Sequence, residues 1–177
     1  NPDMSGENTS TTVVRTTKTT GSEFWAGTEM ELDTPIDFSA SEMISIKTWS
    51  PKADIPVRLK LENSGGAFLE LDVNTTLTNQ WETLTWDFTG LTAGIDFTKV
   101  VVFFEFVDGL PGDGSIYYYD DIEVLAPVMD LVELPVDFES SSADYNVITF
   151  GGADSAVEAN PDMSGENTST TVVRTTK

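Results

Sequence analysis

The 177-residue chain contains no cysteine and no histidine. Without cysteine there can be no disulfides and no thiolate metal sites. Without either residue, the serine and cysteine nucleophile triads and imidazole-bound zinc are excluded as well, which leaves an enzyme only carboxylate chemistry. Basic residues are scarce: 9 Lys and Arg face 30 Asp and Glu, a formal charge of −21. Nucleic acid and anionic membrane surfaces both need basic patches, so neither is expected as a partner. No apolar run approaches the ~20 residues of a membrane span, so no membrane insertion is expected, and no signal peptide is present. A secretion signal is expected, if anywhere, upstream of this segment. The acidity suits a secreted or cell-surface protein in salty or calcium-rich water, and equally a surface that is merely kept soluble.

What the chain does have is a duplication. Residues 1–18, NPDMSGENTSTTVVRTTK, return letter for letter as residues 160–177, an offset of 159 residues. That period is one ordinary domain, far beyond a solenoid unit of about 20 to 50 residues. The segment therefore reads as a window on a tandem array. Residues 1–127 are expected to form a repeat unit lacking its opening strands. Residues 128–133 form a linker within APVMDLVE, and residues 134–177 supply the opening strands of the next copy.

Almost every stretch alternates with period two and is rich in Thr, Val, Ile and aromatics, so strands are expected throughout and no helix. Thr11–Lys18 and Glu23–Leu32 open the series, the latter with Trp25, Glu29 and Glu31 on its outward face. Met43–Trp49 follows with Ile44 and Ile46 inward and Lys47 and Trp49 outward. Ile55–Glu62 and Ala67–Val73 make a hairpin about Asn63-Ser-Gly-Gly66. Gln80–Phe88 places Leu84, Trp86 and Phe88 in the core, with Trp81 out of phase. Phe97–Val107 is apolar on both faces, as a central strand is. In Ser115–Leu125 the alternation puts Ile116, Tyr118, Asp120, Ile122 and Val124 inward, and Tyr117 and Tyr119 outward. An inward Asp120 needs a partner, because burying a bare charge is costly.

In repeat order the unit opens with LPVDFES and closes with GDGSIYYYDDIEVL, with NPDMSGENTS, LDTPIDFS and NQWETLTWDFTG between them. These stretches resemble the galactose-binding-like β-sandwich group of carbohydrate-binding modules, of the kind repeated in secreted and surface proteins of Bacteroidetes. The resemblance implies an all-β, two-sheet jelly-roll sandwich with a structural calcium ion. Carried over, the calcium ligands are Asp120, Glu139 and Asp121. The residues themselves agree as far as offering hard oxygen ligands, and leave open that Asp120 is capped by backbone N–H groups or by Arg15. Such modules lay aromatic faces against sugar rings. Trp25 and Trp49 are the first candidates for that platform and Tyr117 and Tyr119 the second; the tryptophans could instead pack under a loop or at a contact between domains. Thirty acidic residues make a carboxylate pair unavoidable somewhere, so such a pair is no sign of a glycosidase, and no enzyme is expected.

Two functions follow. One is a non-catalytic extracellular module that binds a polysaccharide or cell-surface glycan, repeated for avidity. The other is a structural or adhesive repeat that assembles into a stalk or filament by strand exchange with neighbouring copies. Residues 1–18 and 160–177 compete for one strand slot in any closed domain. Exchange between chains, or closure as a circular permutant, is therefore expected.

Overall fold

The computed structural model describes residues 1–4, 6–125 and 132–176. Residues 126–131, which take in most of the expected linker 128–133, lie outside the described residues. Two compact units are present, residues 1–126 and residues 127–177.

The first unit holds eight strands: β1 (Val14–Thr17), β2 (Thr28–Glu31), β3 (Met43–Trp49), β4 (Pro56–Glu62), β5 (Phe68–Asn74), β6 (Trp81–Asp87), β7 (Lys99–Phe104) and β8 (Ile116–Val124). They form two four-stranded antiparallel sheets. The front sheet has the order β1-β8-β3-β6 and the back sheet the order β2-β7-β4-β5. No helix occurs among the described residues, and the chain is an all-β sandwich.

Period-two alternation builds the core directly. Ile44 and Ile46 of β3 and Leu84 and Trp86 of β6 face Val57, Leu59 and Leu61 of β4 and Val100, Val102 and Phe104 of β7 in one cluster. Each such aliphatic side chain contributes roughly 1.5–3 kcal/mol on full burial, so this cluster supplies most of what holds the sheets together. The opposite face of β4 is polar: Arg58 takes Asp72 at 2.7 Å and Glu70 at 2.8 Å across the β4–β5 pair. The hairpin turn is closed by Asn63, whose Oδ1 accepts from Gly65 N and Ala67 N, with Gly66 at φ 87°.

The expected strands Thr11–Lys18 and Phe97–Val107 shorten to β1 and β7, and two others differ further. Glu23–Leu32 shortens to β2, because residues 23–26 close a turn in which Ala26 N donates to Glu23 O at 3.0 Å. In β8 the expected inward phase is wrong in its first half. Tyr117 and Tyr119 are core residues, and Asp120 points to the outer face, where it accepts a hydrogen bond from Asn8. Asp121 then adopts a left-handed φ of 46°, the register against β3 shifts between Ser45 and Lys47, and Ile122 and Val124 return to the core side. A bulge of this kind resets the alternation, and counting by twos cannot detect it.

The second unit contains β9 (Asp154–Ala159) and β10 (Thr171–Thr176), paired antiparallel as a two-stranded sheet. Residues 160–170 connect them. Asn160 Nδ2 donates to Ser169 O at 2.8 Å and its Oδ1 accepts from Asp162 N, which ties the connection into a closed loop.

Candidate functional site

Among the four tryptophans, Trp25 is the exposed one, with 56% of its surface in solvent. It sits on the 23–26 turn, which is held from three directions. Lys18 is 1% exposed, and its Nζ donates to Phe24 O at 2.6 Å and to Glu23 O and Ala26 O at 3.3 Å. Burial pushes the Lys18 amine below the ordinary lysine value, partly opposed by the Glu105 carboxylate. On the far side of the turn the Phe24 ring meets Phe106 edge-on at 5.2 Å. Phe106 in turn carries the Arg58 guanidinium at 3.9 Å and touches Phe103 at 5.2 Å. Below, Gly21 N donates to Gly112 O and Gly112 N to Ser22 O, joining the turn to the 108–114 loop. Gly112 has no room for a side chain, since an added Cβ would lie 2.4 Å from Thr19 O and 2.9 Å from Lys18 O.

The 108–114 loop is itself anchored. Lys52 Nζ reaches Glu105 at 2.6 Å and Asp113 at 2.8 Å, and Tyr117 Oη donates to Glu105 at 3.1 Å. Burial and the adjacent Glu105 push the Tyr117 hydroxyl up to about 12. The hydrogen bond from Lys52, with those from Ser115, holds Asp113 far below the usual carboxylate range. Glu105 and Asp113 thus share one lysine. Glu29 and Glu31 lie on the outer face of β2, each 3.5 Å from Lys99, and Lys47 pairs with Asp121.

Trp49 lies elsewhere, on the outer face of the front sheet, opposite Trp81 on one side and Tyr118 on the other. Its ring meets Tyr118 edge-on at 5.5 Å. Asn1, Asp3, Glu7 and Asn8 strap this face. Trp81 Nε1 donates to Asn1 Oδ1 and Asp3 O, Thr83 Oγ1 donates to Glu7, and the buried Asn8 donates to Asp120 Oδ2 at 3.1 Å. Trp49 is half buried here, and its Nε1 is enclosed without a hydrogen-bond partner. Trp25 and Trp49 therefore do not form one platform. Tyr117 and Tyr119 form none either: both are buried, Tyr117 stacked on Phe104 at 4.7 Å and Tyr119 Oη bonded to Thr28 Oγ1 at 3.0 Å.

The expected calcium ligands are engaged separately within their own units. Asp120 binds Asn8, and Asp121 pairs with Lys47 at 2.7 Å. Glu139, in the second unit, accepts from Thr171 N and from the Thr170 hydroxyl. No group of three or more His, Cys, Asp or Glu side chains that could hold a metal ion occurs among the described residues. Lys18, Gly112 and Phe106 were not foreseeable as parts of the Trp25 mount. Each acts through a partner distant in sequence, and their own residue types carry no signal.

No known protein-family pattern matches the chain, and no curated protein matches it. Among solved structures, the chain is similar to a carbohydrate-binding module described as TmCBM61 in complex with beta-1,4-galactotriose, at 18% identity and a TM-score of 0.35. That match covers 56% of this chain and 60% of the other. The chain is also similar to a carbohydrate-binding module described as CBM4, at 21% identity and a TM-score of 0.32, covering 59% and 64% of the two chains. In both cases the match spans less than two thirds of the neighbour's own length.

Proposed function

We propose that this protein is a non-catalytic, extracellular carbohydrate-binding module whose contact with a neutral polysaccharide or cell-surface glycan is centred on Trp25. The observation that carries this reading is that the most exposed tryptophan stands on a turn fixed by a buried lysine, a phenylalanine anchor and a glycine with no space around it. An exposed indole costs solubility, and a mobile one would lose entropy on binding. A rigid mount lowers that cost. A flat aromatic face suits the apolar face of a pyranose, and Glu29 and Glu31 of the strand that follows the turn offer acceptors for hydroxyl groups. The charge of −21 selects against acidic polymers, so the ligand class is neutral. One such contact is weak by itself, and repetition of the unit supplies avidity.

The test is affinity electrophoresis of the chain and of Trp25→Ala through gels containing soluble neutral glucans, galactans and mannans. Retardation of the parent by one of these, lost in Trp25→Ala at unchanged melting temperature, supports the reading. Equal mobility of the two proteins in every gel overturns it.

A further inference from the structure

The duplicated segment appears in two settings, and the two settings use opposite edges of the same strand. In the first unit β1 pairs with β8, and the bonds continue past its end, where Lys18 N donates to Ser115 O and Lys18 O accepts from Gly114 N. In the second unit β10, its copy, pairs with β9, and Thr170 O accepts from Asn160 N. Thr170 corresponds to Thr11, seven positions from Lys18. Backbone groups of a strand point alternately to its two sides, so an odd separation places these bonds on opposite edges. One copy of the strand can therefore hold β8 and β9 at once. In this structure each copy holds only one of them.

The connecting loop is the same in both settings. Asn1 Nδ2 donates to Asn8 O and Ser10 O, as Asn160 Nδ2 donates to Asn167 O and Ser169 O. Asp3 N and Ser10 N bond to the side chains of Asn1 and Asn8, as Asp162 N and Ser169 N bond to those of Asn160 and Asn167. The loop is thus encoded locally and travels with the strand.

The first unit also shows what it lacks. Thr16 Oγ1 is buried with no hydrogen-bond partner, whereas Thr175 Oγ1, its counterpart, meets Ser155 Oγ at 2.9 Å. Val14 is 42% exposed, whereas Val173 has Val157 opposite it. Among the described residues Arg15 has no ion-pair partner, whereas Arg174 pairs with Glu158 at 2.8 Å.

We propose that the β8 edge of the front sheet accepts the β9–β10 hairpin, residues 154–176, of a second copy of this chain in place of residues 1–17. The sheet becomes five-stranded, β9-β10-β8-β3-β6. Every bond that β1 makes to β8 is remade by an identical residue, and the hairpin bonds are kept. The added strand covers the valine, pairs the arginine and satisfies the threonine hydroxyl. A two-stranded hairpin is marginal alone and gains a packed sheet behind it on docking. Residues 160–169 bring the same asparagines that strap Trp81 and Asp120 in the first unit. Within one chain, residues 1–17 hold the slot through a direct connection, and only a second copy's claim rises with concentration. Donor and acceptor surfaces differ, so the exchange is head-to-tail and extends from chain to chain.

The absence of cysteine makes disulfide trapping clean. In β1, Thr17 lies opposite Ile116, so the exchanged form places Thr176 opposite Ile116. T176C protein, isotopically heavy, is mixed with light I116C protein and mildly oxidised over a concentration series. The expected result is a mixed-mass disulfide dimer at least tenfold above that formed with E70C on the back sheet, rising with concentration, and a mass ladder in light scattering of the parent chain. A mixed dimer no more abundant than the E70C control overturns the proposal. So does quantitative closure of the T176C/I116C double variant at monomer mass, which would seat the hairpin on its own chain. The outcome is independent of the glycan reading, since neither residue touches Trp25 or its turn.

Discussion

Trp86 on the front sheet donates its indole N–H across the interior to the carbonyl of Val57 on the back sheet, at 3.3 Å. Both residues are fully buried, so this bond sits inside the apolar cluster and ties the sheets at their centre. Trp86→Phe removes the donor, leaves the carbonyl's second lone pair bare and opens a small cavity. The expected loss is about 2–4 kcal/mol, read as a lower midpoint in urea with an unchanged slope. A midpoint within error of the parent would mean that the sheets are held by apolar contact alone.

The Tyr117, Glu105, Lys52 and Asp113 cluster predicts how stability varies with pH. The Tyr117 hydroxyl is pushed up to about 12, and Lys52 is also raised, its bonds to Asp113 and Glu105 outweighing the effect of burial. A group whose value is raised on folding contributes stability that is complete below the unfolded value and lost as pH rises through the folded one. Melting temperature is expected to hold through pH 9 and fall steeply above pH 10. In Tyr117→Phe the fall is shallower. Identical slopes for the two proteins above pH 10 would remove Tyr117 from this account.

Asp113 has the opposite sign. Held far below the usual carboxylate range by Lys52 and Ser115, it contributes stability above the unfolded value, about pH 4, and loses it as pH falls further. Asp113→Asn should lower the melting temperature at pH 7 and converge with the parent near pH 2. The side chain is about half exposed, so the gap is a few degrees at most.

Gly112→Ala tests the Trp25 mount. The new methyl group meets two backbone carbonyls, which cannot rotate away, so the 18–22 segment must move. Expected are a destabilisation of about 1–3 kcal/mol and a change in Trp25 fluorescence. If the emission of Trp25, isolated by comparison with Trp25→Phe, is unaltered, the turn does not depend on Gly112.

Thr16→Val removes the unpartnered buried hydroxyl of β1 at nearly constant shape. At low protein concentration the variant is expected to melt higher by about 2–4 °C, since a gain of the order of 1 kcal/mol shifts a domain of this size by that much. A lower melting temperature would show that the hydroxyl has a partner in solution.

Alternation by twos was enough to read β3, β4, β5 and β6 nearly to the residue, because each turns one apolar face to the core, and in β4 and β5 burial follows parity along the whole strand. The duplication likewise needed only the letters, as did the absence of disulfides. The candidate site was legible only in part. Trp25 stood out by residue type, yet it was read onto a strand, because nothing local announces that Lys18 captures the carbonyls of residues 23–26. Tyr117 and Tyr119 were read outward because the left-handed turn at Asp121 resets a phase that the sequence carries unbroken. The sequence by itself therefore determined the fold class, the sheet-forming pattern and the identity of the two repeated segments. Which tryptophan is presented, which tyrosines are buried, and which edge of the repeated strand stands open were decided by tertiary structure. Each of those depends on contacts between residues far apart in the chain, and a local pattern holds no record of them.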